Sequence, residues 1–473
     1  MVRPQAVNFL PTGLAWAIVC LYHVFMSDTP LFPDDDSMDE PGPRPRSDPG
    51  PLPPPRLRRA NRGQMLMRPC TLDDLLPDDH DARTIWAVVC SFDLGGFLEP
   101  IRARGEEAGR AATDPRILIA LWLYAATRGV ASARELDRLC RESDPYRWIC
   151  GTVTLNHHTL SDFRVEHGAA LDNLLTQLLT VLIQEQAVSV ERIAQDGTRV
   201  RVSAGASSFK KRDTLEQARQ KAEAHLAIIG RQADRLEEAT VRRQKAEHRA
   251  AQAKLARVEE ALKQLAEVEK AKAEQKDKPT KENPPKASTT DPEARFMRMP
   301  DGGSRPAFNV QLAVDTESRA VVGVEVTNAG SDAGLSEPLR QQVEERTGGE
   351  VKEQLLDGGY TKLEAVDQAA ADETTLYMPV PKPRKAGTDP HQPKRTDSPA
   401  VGAWRQRMAT PEAKEIYKQR AATVETVNGE LKTVRGLSRF LVRGLHKARC
   451  VALWSVLAYN VVHFGMQCVR LTS

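Results

Sequence analysis

Two spacings of apolar residues divide this chain. Before about residue 188 they recur every three or four positions, the period of a helix face. Ile117, Leu118, Leu121, Trp122 and Ala125 follow Thr113 and Pro115, the pattern of an N-cap with proline in the first turn. Residues 131–140, 158–167 and the leucine-rich 170–186 predict further helices. From residue 191 the spacing shortens to alternation, the period of a strand. Residues 191–202 predict a strand, and 308–315 with 320–327 a hairpin about the turn 316–319. Helix and strand then alternate: 334–346, 351–357, 361–372 and 374–378. Residues 411–432 return to helix, and 450–469 make a strongly apolar helix containing Trp454, Leu457, Tyr459 and Phe464. Its length matches a membrane span. Ser455, Asn460, His463 and Gln467 favour a buried packing helix instead.

A different composition breaks in after the first strand. Residues 209–276 are rich in Ala, Glu, Lys, Arg and Gln and almost free of aromatics. Leu226, Ile229, Ala233 and Leu236 keep a three–four spacing, and Leu255, Val258, Leu262 and Leu265 repeat it. Thr240 and Arg243 interrupt the seam between them, so the composition is that of a coiled coil in two segments. One helix of about 65 residues would run about 100 Å and leave the chain far from its next strand. A helical hairpin inserted between the first two strands returns it. The polar linker 276–291 then leads back to the sheet.

The first sixty residues stand apart. An apolar run from Phe9 to Met26 resembles a signal-peptide core, but Pro11, Gly13 and His23 interrupt it. The acidic Asp34, Asp35 and Asp36 and the proline-rich 41–55 follow. This stretch reads as an adventitious extension. The remaining composition adds little: 40% hydrophobic residues allow a sizeable core, and a net charge of +3 does not by itself announce nucleic acid. Basic residues are clustered, though, in 379–399 with Lys382, Arg384 and Lys385, and in 132–164 with Arg134, Arg138, Arg141, His157, His158 and Arg164. The latter stretch has the rhythm of a helix-turn-helix. Seven cysteines without paired short spacing read as reduced thiols in the cytoplasm.

Three acids carry the candidate chemistry. Asp196 lies within the first strand, Asp357 ends the fourth before Gly358 and Gly359, and Glu425 lies on the helix with Tyr417, Arg420 and Lys432. Few carboxylates with room for water and phosphate oxygens suit Mg²⁺. Two such ions activate a water or a 3′-OH against a phosphodiester. Asp315 ends the antiparallel second strand and reads as a turn residue. Asp332 reads as a helix N-cap or first-turn acid, and Glu430 faces away from Glu425 on their helix.

These residues resemble the DDE transposases of bacterial insertion sequences. The resemblance runs from about Gln64 to the C-terminus. It includes Thr113-Asp-Pro-Arg116, His158-Thr-Leu-Ser-Asp-Phe-Arg164, Gln195-Asp-Gly-Thr198, Asn309-Val-Gln-Leu-Ala-Val-Asp315, Val326-Thr-Asn-Ala-Gly-Ser-Asp332, Asp357-Gly-Gly-Tyr360 and Val424-Glu425. Tyr417, Arg420, Glu425 and Lys432 fit the family's third-acid helix, with Arg420 and Glu425 one residue further apart than in one common version. The resemblance implies an α/β RNase H-like fold whose mixed sheet has its first three strands antiparallel, an N-terminal all-α domain, and here the inserted coiled-coil hairpin. The implied layout is an extension at 1–63, a helical DNA-binding domain at 64–188, the catalytic domain at 189–208 and 300–445, the insertion and linker at 209–299, and a packing helix at 446–473. In such a sheet the first and fourth strands run parallel side by side, which brings Asp196 and Asp357 together.

What the resemblance implies about function is cleavage of transposon ends and transfer of the 3′-OH to target DNA. Asp196, Asp357 and Glu425 would serve as catalytic and metal residues. The cofactor would be two Mg²⁺ ions, with Mn²⁺ as a substitute. Tyr417, Arg420, Lys432, His158, Arg164, Lys382, Arg384 and Lys385 would contact DNA. The implied protein works in the cytoplasm at the nucleoid, as a homodimer or larger assembly on DNA and without a membrane. Two alternatives are a catalytically inactive DNA-binding relic and a plain RNase H-like nuclease. Because the proline-rich extension cannot pack a core, a chain starting at Met65 is expected to be soluble and to cleave DNA as well as the full chain in a side-by-side cleavage assay.

Overall fold

Strand β1, Arg192–Arg201, organises the molecule. In the computed structural model, which describes residues 69–105, 111–232, 238–274, 284–383 and 387–472, it lies at the middle of a mixed sheet. The extension at 1–63, and Arg384 and Lys385, lie outside the described residues. Along one edge β1 pairs antiparallel with β5, Ser304–Asp315, from Ile193 opposite Asp315 to Arg201 opposite Ala307. Along the other it pairs parallel with β7, Glu353–Leu355, but only over Arg192, Ile193 and Ala194. Beyond Ala194 that edge of β1 is free of β7. Strand β6, Val321–Thr327, pairs antiparallel with β5, and β8, Thr375–Tyr377, lies parallel beside β7. The order β6-β5-β1-β7-β8 is the RNase H-like arrangement, with its first three strands antiparallel.

The sheet has one strand that alternation did not reveal. β4, Arg295–Arg298, pairs with the start of β5, which begins at Ser304 and not at residue 308. Pro306 and the Gly302–Gly303 pair disguised both as loop. Gly302 takes φ +80 in the turn, a conformation glycine adopts without steric cost. Strand β7 is also shorter than the predicted 351–357.

Between β1 and β4 the chain makes a separate excursion. β2, Phe209–Lys210, pairs antiparallel with β3, Ala287–Ser288, at its base. From there α8, Arg212–Gln232, leaves and α9, Glu238–Glu274, returns. Leu215 near the start of α8 meets Ala261 and Leu265 near the end of α9, so the helices run antiparallel, and Arg212 pairs with Glu269 beside them. With Ala287 these form a small apolar cluster apart from the main core.

The helices before β1 are α1 (Asp81–Ser91), α2 (Gly95–Leu98), α3 (Pro115–Thr127), α4 (Ala133–Glu142), α5 (Asp144–Cys150), α6 (His157–Glu166) and α7 (Gly168–Gln184). Asp114 caps α3 and Asn156 caps α6, each side chain accepting from backbone N–H groups of the first turn. After β6 come α10 (Ser336–Thr347), α11 (Leu363–Ala371), α12 (Pro399–Arg407), α13 (Pro411–Arg420), α14 (Thr426–Thr433) and α15 (Leu445–Thr472). The boundary near residue 188 is not a gap between cores. Helix α15 packs on α1, α3, α6 and α7 and also on β6, and one apolar cluster runs through helices and sheet. Asn460 on α15 both donates to and accepts from the backbone of Val321, at 2.9 and 3.0 Å, which satisfies groups on the outer edge of β6. Leu445–Cys468 is apolar and long enough to cross a membrane, yet 78% of its most apolar window is buried within the protein.

The start of α15 is held by two acids. Asp291 accepts from the Gly444 N–H at 3.2 Å and Glu293 from the Leu445 N–H at 2.9 Å. Asp291 is fully buried, and its Oδ2 has no hydrogen-bond partner. Burial pushes its carboxyl up to about 6. A raised folded value means that the acid's stability contribution is present at low pH and is lost as pH rises through 6. Asp291→Asn removes that titration. It is expected to match the native chain near pH 4 and to exceed its stability above pH 7 by on the order of 1–3 kcal/mol, read by denaturant unfolding at the two pH values. Equal stability at pH 8 would refute the burial argument.

Candidate active site

The sheet presents β1 with two different faces. Ala194, Asp196, Thr198 and Val200 point one way, towards the helices that follow residue 411, and Gln195, Gly197 and Arg199 point the other. Asp196 reaches the free stretch of β1, next to the turn after β7. There Asp357 caps a short turn, Gly358–Tyr360, by accepting from the Gly359 N–H at 2.8 Å.

The third acid arrives through an irregular helix. Residues 411–432 are not one regular helix: between α13 and α14 the segment Ala421–Glu425 is a π-helix. A regular helix turns 100° per residue, which would place Glu425 well off the face of Arg420. The wider i→i+5 turn absorbs the extra residue and brings the two back into line. Arg420 Nη1 donates to Glu425 Oε1 at 3.0 Å. Thr423 and Thr426 donate their hydroxyls to the carbonyls of Gln419 and Ala422, bonds of the kind that bend helices. Buried Val424, Val427 and Leu431 anchor the segment against the sheet and core.

All three acids meet at Arg420. Its Nη2 lies 3.1 Å from Asp196 Oδ1 and 3.9 Å from Asp357 Oδ2. Exposure rises across the trio, from 18% for the Asp196 side chain to 40% for Asp357 and 57% for Glu425. Burial pushes the Asp196 carboxyl above its usual value; Arg420 opposes the shift and Asp357 adds to it. The expected contact of Arg420 with phosphate is thus replaced by ion pairs to the acids. Its Nε is buried without a partner.

Sequence reading missed Asn428. Its Nδ2 donates to Asp196 Oδ2 at 2.9 Å, and its Oδ1 is buried with no partner. The available signal was its position one turn after Glu425 on the same helix. A cleft of about 680 Å³ runs beside these groups, lined by Asp196, Glu425, Asn428, Lys432 and the hairpin residues Arg298 and Pro300. Burial pulls the Lys432 ammonium below its usual value, and Asp196 opposes that shift. Tyr417 is half-buried nearby; burial raises its hydroxyl, with Arg420 opposing and Asp357 and Glu425 adding.

The opposite face of β1 is a buried polar layer. Asp332 accepts from Arg199 at 2.7 Å, Asn309 at 2.7 Å and Gln311 at 2.8 Å. This corrects the reading of Asp332 as an N-cap, because α10 begins at Ser336 with Leu335 as its N-cap residue. Tyr360 donates to Gln311, and Gln195 joins Gln311 to Gln354 at 3.0 and 2.8 Å. A Cβ on Gly197 would lie 2.3 Å from Asp332 Oδ1, so only glycine fits between Asp196 and this layer. Asp315 accepts from Ser318 N–H and hydroxyl and shapes the β5–β6 turn. Glu430 pairs with Arg435 and His463, away from the cleft.

The other expected DNA contacts divide. Lys382 and His158 are exposed. Arg164 is not: it is 8% exposed, donates to the Ala131 carbonyl and lies over Trp122 at 4.6 Å. That corrects its place among the DNA contacts, because packing of α6 on α3 seals it inside. In the same helical stretch Arg138 pairs with Glu135 and Glu142, and Arg141 with Asp137.

The strand order and the acids gathered beside β1 define a protein of the RNase H-like class. Residues 70–166 match the family described as "Transposase domain (DUF772)", and 285–461 match the "Transposase DDE domain" family. Between them these cover more than half of the chain, and it belongs to the insertion-sequence DDE transposases. No curated protein and no solved structure matches it. Asp357 and Glu425 fall inside the matched residues and Asp196 outside them, so the place of Asp196 in the trio rests on geometry.

The donor set suits a hard divalent cation: three carboxylates converge, and one amide oxygen beside them lacks a partner. With Arg420 between them, no three His, Cys, Asp or Glu side chains among the described residues stand close enough to hold an ion. Arg420→Ala removes the counter-charge from a partly exposed cluster. It is expected to lower stability at pH 8 in chelator by about 1–2 kcal/mol, and millimolar Mg²⁺ should restore the melting temperature more than it raises that of the native chain. A variant as stable as the native chain in chelator would show that Arg420 does not neutralise the trio.

Proposed function

We propose that this transposase cuts transposon ends and joins the released 3′-OH to target DNA, with Asp196, Asp357 and Glu425 as the ligands of two Mg²⁺ ions. The observation that carries the reading is the convergence of these acids, from β1, the turn after β7 and the helix after residue 411, on one guanidinium. When bound, such ions polarise the phosphodiester and activate the attacking oxygen. The protein's own share is placement. Asn428 fixes the orientation of Asp196, and the Asp357 cap ties the second acid to the turn. Arg420 would have to leave the acids for ions to be held there, which would free its guanidinium for a phosphate. Lys432 lines the cleft at the side of Asp196, in reach of a bound DNA backbone. Lys382 extends the basic surface along the loop after β8.

The antiparallel pair α8–α9 has only a small core of its own, which supports a role in assembly on DNA as a homodimer or larger complex. This reading places the protein at the nucleoid.

Asp196→Asn, Asp357→Asn and Glu425→Gln should each reduce cleavage of transposon-end DNA in Mg²⁺ by more than about a thousandfold, while DNA binding by gel shift stays unchanged. Asp315→Asn should cleave normally. Loss of cleavage in Asp315→Asn with retention in Asp357→Asn would overturn the assignment.

A further inference from the structure

The catalytic cleft has a wall that none of the expected site residues occupies. Arg298, Met299 and Pro300, at the end of β4 and in its turn to β5, line the cleft together with Lys432. Resting on the transposase reading, we infer that the β4–β5 hairpin is a DNA-strand site, with Phe296 stacking on a base and Arg298 holding a phosphate of the strand that leaves the acids.

Register puts these groups on the right side of the sheet. Phe296 pairs with Pro306 and Arg298 with Ser304 on β5, while Leu312 on β5 pairs with Asp196 on β1. Directly paired residues share a face, and alternate residues along a strand do too. Phe296, Arg298 and Asp196 therefore belong to one face. Phe296 is 44% exposed, although its ring packs on Phe209 at 4.5 Å between centroids. A ring held by a neighbouring aromatic yet nearly half exposed can serve as a stacking platform. Arg298 is exposed, and its side chain makes no ion pair or hydrogen bond among the described residues. The cations of the neighbouring hairpin positions are engaged: Arg305 pairs with Asp301 and Arg295 donates to Gln264 at 2.5 Å. Arg298 is the hairpin arginine left for an external anion.

The hairpin is built to hold that position. Met299 N–H donates to the Gly303 carbonyl at 2.8 Å, and Asp301 accepts from the Gly303 N–H at 3.0 Å. Arg295 fastens its base to α9. An alternating aromatic and free arginine, continuous with a cleft for phosphodiester chemistry, fits a nucleic-acid strand. An unpaired cation lining the same cleft as the acids favours a phosphate over an uncharged protein surface.

The test compares two DNAs with the full chain by fluorescence anisotropy in chelator. One is a blunt duplex; the other carries a single-stranded 3′ extension of about six nucleotides, within the site size of a small strand-binding surface. The native chain is expected to bind the extended DNA more tightly. Phe296→Ala and Arg298→Ala should each weaken that binding by about 5–20-fold and change binding of the blunt duplex by less than about twofold. Arg298→Ala should also reduce the salt slope by about one. Phe296→Leu keeps packing on Phe209 without an aromatic face, so it should lose the preference with unchanged melting temperature. If Phe296→Leu or Arg298→Ala kept the native preference, the strand site would be refuted. If the native chain bound neither DNA, the transposase reading itself would fail.

Discussion

Three carboxylates aimed at one point repel one another, and the rest of this structure is arranged around that repulsion. Two carboxylates about 5 Å apart repel by ~3 kcal/mol at an effective dielectric of about 20. Arg420 answers this with one guanidinium that touches all three. It can do so only because the Ala421–Glu425 segment widens into a π-turn. The extra residue between Arg420 and Glu425 therefore sets the electrostatics of the cleft. Charge balance and backbone geometry are one feature here.

The two faces of β1 divide the work of holding the trio. On the far face, Gln195, Gln311, Gln354, Tyr360 and Asp332 bind β1, β5, β7 and the following turn into a hydrogen-bonded layer. Buried polar networks of this kind rigidify when their members are satisfied. Asp196 on β1 and Asp357 after β7 are thereby carried by strands that this layer ties together. Glu425 is attached differently: it is the most exposed of the acids and sits at the end of the irregular segment. Two acids sit on or beside the sheet, and the third reaches them from a helix anchored on the core by Val424, Val427 and Leu431.

Much of this was legible in the residues. Alternation gave the three long strand positions, and parallel pairing of the first and fourth strands brought Asp196 to Asp357 as expected. The one-residue excess between Arg420 and Glu425 was visible too, but its meaning needed coordinates, since spacing alone does not distinguish a π-turn from a lost contact. Arg164 shows a different limit. Its sequence neighbours read as a basic recognition surface, and only tertiary packing of α6 on α3 reveals that its guanidinium is buried over Trp122. β4 escaped notice because Pro306, Gly302 and Gly303 are loop residues by composition. Their pairing is decided by the neighbouring strand, and tertiary context overrides local propensity in strands more than in helices.

The distribution of cations explains why a net charge of +3 says little about the partner. Many arginines are already matched: Arg138 and Arg141 by acids on their own helix, Arg199 by Asp332, Arg435 by Glu430. An arginine held in this way contributes little field at a distance, because its partner cancels it within a Debye length. Among the described residues lining the cleft, Lys432 and Arg298 are the cations without an ion pair. Positive charge beside the acids is thus carried by Lys432 and Arg298, while the Arg420 guanidinium is neutralised by Asp196, Asp357 and Glu425, so the local arrangement of charges and not their sum sets the character of the cleft.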